Sequence, residues 1–269
     1  MAARRWSEWP KKTAAELNSL GGVVGIGGVL LGGAGAVLSA PFVLGAGVLL
    51  AIGAVGYAGF KSFPEELTDP ESIIGERLES TEILDRLSRR IPRVSVVGSG
   101  GTGKSTLVEK LLRSVDAPDP TADVYVAILR SGGENPKVFA LVDGSGEDYP
   151  QQFAVAETAD LLFIVFDHNE GKKEAAIQRS RLEDHESFLL QLISCLRGKN
   201  FSDNCIILLN KRDNWKRSTQ AEDFVSWGEE IKMQLSQVLP GNKILVREHS
   251  NWDVDCINLF WTEVEGKTQ

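Results

Sequence analysis

Beyond residue 92 the chain alternates short apolar runs with longer amphipathic stretches. The runs 93–98, 123–130, 137–142, 160–166, 204–209 and 243–248 are nearly continuous in Val, Ile, Leu, Phe and Ala. Strands buried on both faces read this way, whereas half-exposed strands alternate apolar with polar. The stretches 104–115, 174–197, 220–239 and 253–264 carry apolar residues at helical spacing among charges. Strand and helix in alternation predict an α/β fold: a mostly parallel sheet, helices on both faces, and a ligand at the C-terminal ends of the strands.

Residues 21–60 follow a different rule. Gly21 to Leu38 and Phe42 to Phe60 are uncharged runs of 18 and 19 residues, separated by Ser39-Ala40-Pro41. As helices they would each reach roughly 27–29 Å, close to the hydrocarbon thickness of a bilayer. Pro41 favours a tight turn between them. Gly21/Gly25 and Gly28/Gly32 repeat at four-residue spacing, and Gly45, Gly53 and Gly56 put small residues on the second run. Such faces let two helices approach closely in lipid, so a hydrophobic helical hairpin is expected. It is similar to the glycine-zipper hairpins of membrane-anchored and membrane-disturbing proteins. Arg4, Arg5, Lys11 and Lys12 precede it and Lys61 follows it. The positive-inside rule then keeps both ends, and the domain beyond, on the cytoplasmic side of the membrane. A cleaved leader ending near Leu38-Ser39-Ala40, or a hairpin that is buried or dips into one leaflet, are the competing readings.

Residues 61–92 read as a helical linker. Asp69 suits an N-cap with Pro70 at the first helical position, Ile73, Ile74, Leu78, Ile83, Leu84 and Leu87 recur at roughly helical intervals, and Pro92 closes the segment. The expected organisation is therefore 1–60 anchor, 61–92 linker, 93–269 ligand-binding domain.

Composition narrows the function classes. A net charge of −8 over 269 residues argues against nucleic acid as a partner. Cys195, Cys205 and Cys256 are widely spaced and odd in number, which reads as reduced thiols. The three histidines, His168, His185 and His249, form no zinc-ligand pattern with them. Trp215, Trp227, Trp252 and Trp261 are expected as buried or half-buried anchors.

Three motifs carry chemistry. Gly98-Ser99-Gly100-Gly101-Thr102-Gly103-Lys104-Ser105 matches G-x-x-x-x-G-K-[ST], between the strand Val94–Val97 and a helical stretch. In such a loop glycines turn backbone N–H groups onto phosphate oxygens, and the following helix adds its positive dipole end. Lys104 would reach the β- and γ-phosphates and Ser105 would ligate Mg²⁺, with Gly98, Gly100, Gly101, Thr102, Gly103 and Thr106 completing the cradle. The run 138–142 leads into Asp143-Gly144-Ser145-Gly146, where Asp143 can hold a Mg²⁺-bound water and the Gly146 amide can meet the γ-phosphate. The run 206–209 leads into Asn210-Lys211-Arg212-Asp213. The Asp213 carboxylate can accept N1–H and the 2-amino group of guanine, a bidentate match that adenine lacks. Asn210 would support the loop and the Lys211 stem would lie along the base.

With these motifs in order, residues 93–265 resemble a Ras-like small GTPase domain. The resemblance implies a Ras-like P-loop sheet, GTP and GDP as ligands, and Mg²⁺. It makes Thr121, 16 residues after Ser105, the residue whose hydroxyl joins Ser105 and Asp143 at the metal and whose amide senses the γ-phosphate. It places Ser250, after the last strand, against the guanine by its backbone N–H. Lys104, Thr121, Gly146 and Glu147 would then form the catalytic group. Two departures stand out. Where many relatives of that family have glutamine, this chain has Glu147, and an ionised carboxylate beside an anionic γ-phosphate cannot donate a hydrogen bond. Slow hydrolysis is therefore expected, with an activating or effector protein or a homodimer left open as partner. The stretch Asp167–Glu174 is charged and reads as a solvated loop, with partner binding as the alternative. The expected function is a membrane-tethered GTP switch that meets lipid through residues 21–60. A GTP-gated membrane-remodelling or membrane-disrupting effector, and a P-loop ATPase, are the alternatives.

Overall fold

The computed structural model describes residues 8–16, 18, 66–112, 124–132, 136–144, 148–170, 174–197, 204–239 and 243–267. The chain divides into two units, Met1–Thr68 and Asp69–Gln269. In the first, residues 9–16 are helical, and the Thr13 hydroxyl donates to the Trp9 carbonyl at 2.9 Å. The hairpin expected over 21–60 lies outside the described residues. Among the described residues no helix is long and apolar enough to cross a membrane.

The second unit is an α/β domain built on a seven-stranded sheet. Its strands are β1 (Arg77–Leu78), β2 (Arg93–Val97), β3 (Tyr125–Arg130), β4 (Val138–Asp143), β5 (Leu161–Phe166), β6 (Asn204–Leu209) and β7 (Lys243–Glu248). Its helices are α1 (Lys104–Leu112), α2 (Tyr149–Glu157), α3 (Arg179–Leu196), α4 (Arg212–Trp215), α5 (Ala221–Val238) and α6 (Val254–Lys267). The spatial order is β1-β3-β4-β2-β5-β6-β7. β4, β2, β5, β6 and β7 run parallel, whereas β3 is antiparallel to β4 and β1 to β3. The sheet is mostly parallel, as the buried runs predict.

Period-two geometry divides each strand between two cores. In β5, Leu162, Ile164 and Phe166 join the core beneath α2, α3 and α5. Leu161, Phe163 and Val165 join the core beneath α1 and α6, where Phe163 stacks on Phe260 with centroids 4.4 Å apart. Because both faces are covered, every β5 side chain is buried. Full burial of such a side chain contributes about 1.5–3 kcal/mol.

Four local expectations change. Residues 69–92 form no continuous helix. Asp69 does cap, accepting from the Glu71 N–H, but the turn is a 3₁₀ segment, Pro70–Ile73, and a second follows at Thr81–Arg86. Between them β1 pairs with the edge of β3, so backbone pairing overrides the apolar spacing. The predicted 174–197 helix begins only at Arg179. The Asn169 amide donates to the Ala176 carbonyl at 2.9 Å, and the His168 carbonyl accepts from Gln178 at 2.8 Å. Those bonds hold 174–178 out of the helix against its helix-favouring composition. Helix α2 was not anticipated: Asp148 caps it by accepting from the Gln151 N–H at 3.1 Å, and Pro150 lies in its first turn. Finally, Trp252 is 70% exposed, with the Lys110 ammonium 4.1 Å from its ring centroid. Trp215 and Trp227 are buried and Trp261 half-buried. All three cysteines are free thiols, Cys205 and Cys256 buried.

Candidate functional site

The glycine-rich loop leaves the C-terminal end of β2 and feeds directly into α1 at Lys104. Gly98 has φ +151°, and a Cβ there would lie 2.3 Å from the Val165 carbonyl oxygen of β5. Only glycine permits both the conformation and that approach. The Gly98 N–H donates to Gln152 Oε1 at 2.7 Å, which ties the loop to α2. The Thr102 hydroxyl donates to the Ser99 carbonyl at 3.0 Å, closing the loop on itself.

Lys104 is 4% exposed, and its ammonium donates to the Gly98 and Ser99 carbonyls at 2.6 and 3.0 Å. Burial lowers its pKa to about 8, with Asp143 pulling it up and Arg181 pushing it further down. Asp143, the last residue of β4, is fully buried and accepts from the Ser105 hydroxyl at 3.0 Å. Burial raises its pKa to about 6 against the opposing pull of Lys104, Ser105 and Tyr125. Its other oxygen, Oδ1, has no hydrogen-bond partner among the described residues. A buried, unpaired carboxylate oxygen beside a hydroxyl is a fit for a hard cation. Mg²⁺ characteristically takes one or two protein ligands and completes its shell with phosphates and water. No group of three or more His, Cys, Asp or Glu that could hold a metal occurs among the described residues.

The second loop follows β6. Lys211 has φ 60° and ψ 34°, a left-handed conformation that costs a non-glycine residue about 1 kcal/mol or more. Its ammonium is anchored 2.5 Å from Asp167 Oδ2 and 3.0 Å from the Asn169 carbonyl. The Asn210 amide donates to the Thr102 carbonyl at 2.8 Å, and the Asn251 amide to the Gly103 carbonyl at 2.8 Å. Gly103 has φ +93°, and a Cβ there would stand 2.6 Å from the Asn210 amide nitrogen. A side chain at 103 would therefore displace the Asn210 and Asn251 amides that bond the loops together. The Trp215 indole N–H donates to the Asn210 carbonyl at 2.9 Å, fixing the loop from below. Asn210 Oδ1 has no hydrogen-bond partner among the described residues.

Asp213 is exposed and Ser250 buried; the Ser250 hydroxyl donates to Asp213 Oδ1 at 2.6 Å. Both line a cavity of about 270 Å³ together with Arg212, Lys216, Arg217 and Asp253. The fold thus brings together Gly98–Ser105, Thr106 in the first turn of α1, Asp143, Asn210, Lys211, Asp213 and Ser250 at the C-terminal ends of β2, β4, β6 and β7. Thr121, Gly146 and Glu147 lie outside the described residues.

One cluster escaped the sequence reading. Asp167, expected on a solvated loop, is fully buried, as is His168, and Asn169 is nearly so. Asp167 Oδ1 accepts from Arg181 Nε at 2.7 Å and lies 2.9 Å from His185 Nε2. Despite burial, its bonds to His185 and the charges of Lys211 and Arg181 hold its pKa down to about 2. Arg181 also reaches the glycine loop, donating from Nη2 to the Gly100 carbonyl at 2.6 Å. Burial lowers the His185 pKa, against the opposing pull of Asp167. Two signals for the cluster were present: an aspartate directly after an apolar strand, as at Asp143, and Arg181/His185 at i, i+4 on one helix face.

No protein-family model matches the chain, and no curated protein matches it.

Proposed function

We propose that the chain is a membrane-tethered, Ras-like guanine-nucleotide switch that binds Mg–GTP and hydrolyses it slowly to GDP and phosphate. The observation that carries the reading is convergence. Three sequence-distant segments, around Lys104, Asp143 and Asn210–Asp213, meet at one end of the sheet and are bonded to one another through Asn210, Asn251 and Ser105. In this reading Lys104 leaves the Gly98 and Ser99 carbonyls for phosphate oxygens. Backbone N–H groups of the loop and the α1 N-terminus hold the remaining charge. Ser105 and Asp143 hold Mg²⁺, which when bound neutralises phosphate charge. Asp213 takes the guanine edge, exchanging its bond from Ser250 for two from the base. Thr121 and Gly146 are assigned their γ-phosphate contacts by the family resemblance. Glu147 is assigned the slow rate, below about 10⁻² per second without a partner.

Binding of a fluorescent GDP to the full chain, competed with GTP and with ATP in the presence and absence of Mg²⁺, tests the reading. Displacement by GTP at concentrations at least about a hundredfold below those of ATP is expected. Equal competition would replace it with a P-loop ATPase. The uncharged, glycine-spaced runs of residues 21–60 favour one second reading, a GTP-gated membrane-remodelling or membrane-disrupting effector. Liposome leakage that requires both residues 21–60 and GTP would establish it.

A further inference from the structure

The glycine loop is touched by a second buried cation that none of its motifs includes. Arg181 is 6% exposed, on the first turn of α3. Its Nε is held by Asp167 at 2.7 Å, while Nη2 donates to the Gly100 carbonyl at 2.6 Å. The same nitrogen lies 3.8 Å from where a Gly101 side chain would begin. The guanidinium therefore lies over the Gly100-Gly101 turn, and it is near enough for its charge to weigh on the Lys104 ammonium.

The charge balance of this buried region is uneven. Lys104, Arg181 and Lys211 supply three cations, facing the two carboxylates of Asp143 and Asp167. Burying cations without full compensation is costly, and Lys104 and Arg181 both rest on carbonyls of the glycine loop. Asp167 fixes the guanidinium at Nε, and the outer nitrogen rests on a neutral carbonyl that an anionic oxygen would outcompete.

We propose that Arg181 is a catalytic cation supplied in cis, whose guanidinium exchanges the Gly100 carbonyl for oxygens of the phosphoryl group transferred during hydrolysis. Asp167 is its positioning residue. The inference rests on the GTPase reading. In that reaction water attacks the γ-phosphorus, the bond from phosphorus to the bridging oxygen breaks, and GDP leaves with that electron pair. The water's proton ends on phosphate or solvent. Arg181 exchanges no proton; it meets the negative charge spread over the transferred oxygens.

The test uses full-length wild type, Arg181→Ala and Arg181→Lys. Single-turnover GTP hydrolysis, fluorescent-GDP affinity, thermal melting and formation of the GDP–aluminium fluoride complex are measured together. Arg181→Ala is expected to slow hydrolysis at least about a hundredfold and to abolish the fluoride complex. GDP affinity should stay within about threefold, and added guanidinium ion should restore part of the rate. Arg181→Lys retains a cation for Asp167 and so guards against misfolding. It is expected to lose at least about tenfold, because one ammonium cannot serve Asp167 and the phosphoryl group as a planar fork does. Wild-type hydrolysis in either variant overturns the proposal. So does a rate that falls only in step with GDP affinity and melting temperature, which would make Arg181 a structural bolt. A wild-type chain that binds GTP without such dependence leaves the proposed function intact, whereas one that binds no guanine nucleotide overturns both.

Discussion

The two ends of the candidate site, which the proposed function makes a phosphate end and a base end, are built on opposite principles. At the phosphate end, Lys104, Asp143, Asp167, Arg181 and His185 are all buried; Asp167 pairs with Arg181 and His185, while Lys104 bonds to loop carbonyls and Asp143 accepts from Ser105. At the base end Asp213 is exposed, and its neighbours Arg212, Lys216, Glu248 and Asp253 form half-exposed ion pairs. Exposed pairs contribute little to stability, whereas breaking a buried one leaves a charge stranded in a poor solvent. Folding and ligand chemistry are therefore coupled at one end and separable at the other. Lys211, Asn210 and Asn251 connect the two, so the ends remain in register while differing in energetics.

The largest break in this comparison is Asp167→Ala. It leaves Arg181 and Lys211 without their shared anion and His185 without its acceptor. A loss of about 3–5 kcal/mol is expected, read as a fall in melting temperature of roughly 10 °C or more for a domain of this size. Asp167→Asn keeps the shape but not the charge and should lose nearly as much. A variant that melts with wild type would show that the buried cluster is solvated and the contrast between the ends illusory.

The next effect separates two carboxylates within the phosphate end by pH. Burial raises Asp143 from 3.8 to about 6, so the folded state binds the extra proton and gains from it fully below pH 3.8. That contribution is lost as pH rises through 6, on the order of 3 kcal/mol for a shift of this size. Asp167 runs the other way: its contribution is present above pH 3.8 and is lost only as pH falls towards 2. Burial lowers the pKa values of His168, His185 and His249, so these rings make stability rise with pH over the same window. In urea melts of the ligand-free chain between pH 4 and 6.5, wild type should therefore gain less stability with pH than Asp143→Asn. Mg²⁺ needs the ionised form, so its binding should tighten as pH rises through 6. Parallel pH profiles for wild type and Asp143→Asn would contradict the burial-driven shift.

Legibility in the sequence followed locality. The strands β2 to β7 were readable because two-sided burial writes nearly continuous apolar runs, and the glycine loop because its backbone geometry excludes side chains at Gly98 and Gly103. The Asp167 cluster was not readable, because Arg181, His185 and Lys211 acquire meaning only when α3 and the β6 loop pack around one carboxylate. In sequence, Asp167–Glu174 has the charge of a surface loop. The 69–92 segment misled in the reverse direction. Its apolar residues recur at helical spacing, yet Leu84 and Leu87 are buried from 3₁₀ and extended backbone, and Leu78 packs from the two-residue strand. Spacing records which residues are buried, and a strand edge waiting for a partner can decide the backbone instead.

The smallest effect on folding carries the sharpest functional difference. Asp213 is exposed and accepts a hydrogen bond from the Ser250 hydroxyl at 2.6 Å. Asp213→Asn keeps an acceptor for that hydroxyl, so melting should move by no more than about 2 °C. For a guanine edge the change is large, since an amide oxygen accepts only one of the two N–H groups and the amide nitrogen meets the other as donor against donor. Preference for GTP over ATP, measured by competition against a fluorescent nucleotide, should fall at least about a hundredfold. Xanthine, which presents a carbonyl where guanine has its 2-amino group, should gain where guanine loses, because the new amide N–H can donate to it. Selectivity unchanged by Asp213→Asn would move base recognition elsewhere in the cavity. Melting lowered as far as in Asp167→Ala would instead show that the base end, too, is held by charge.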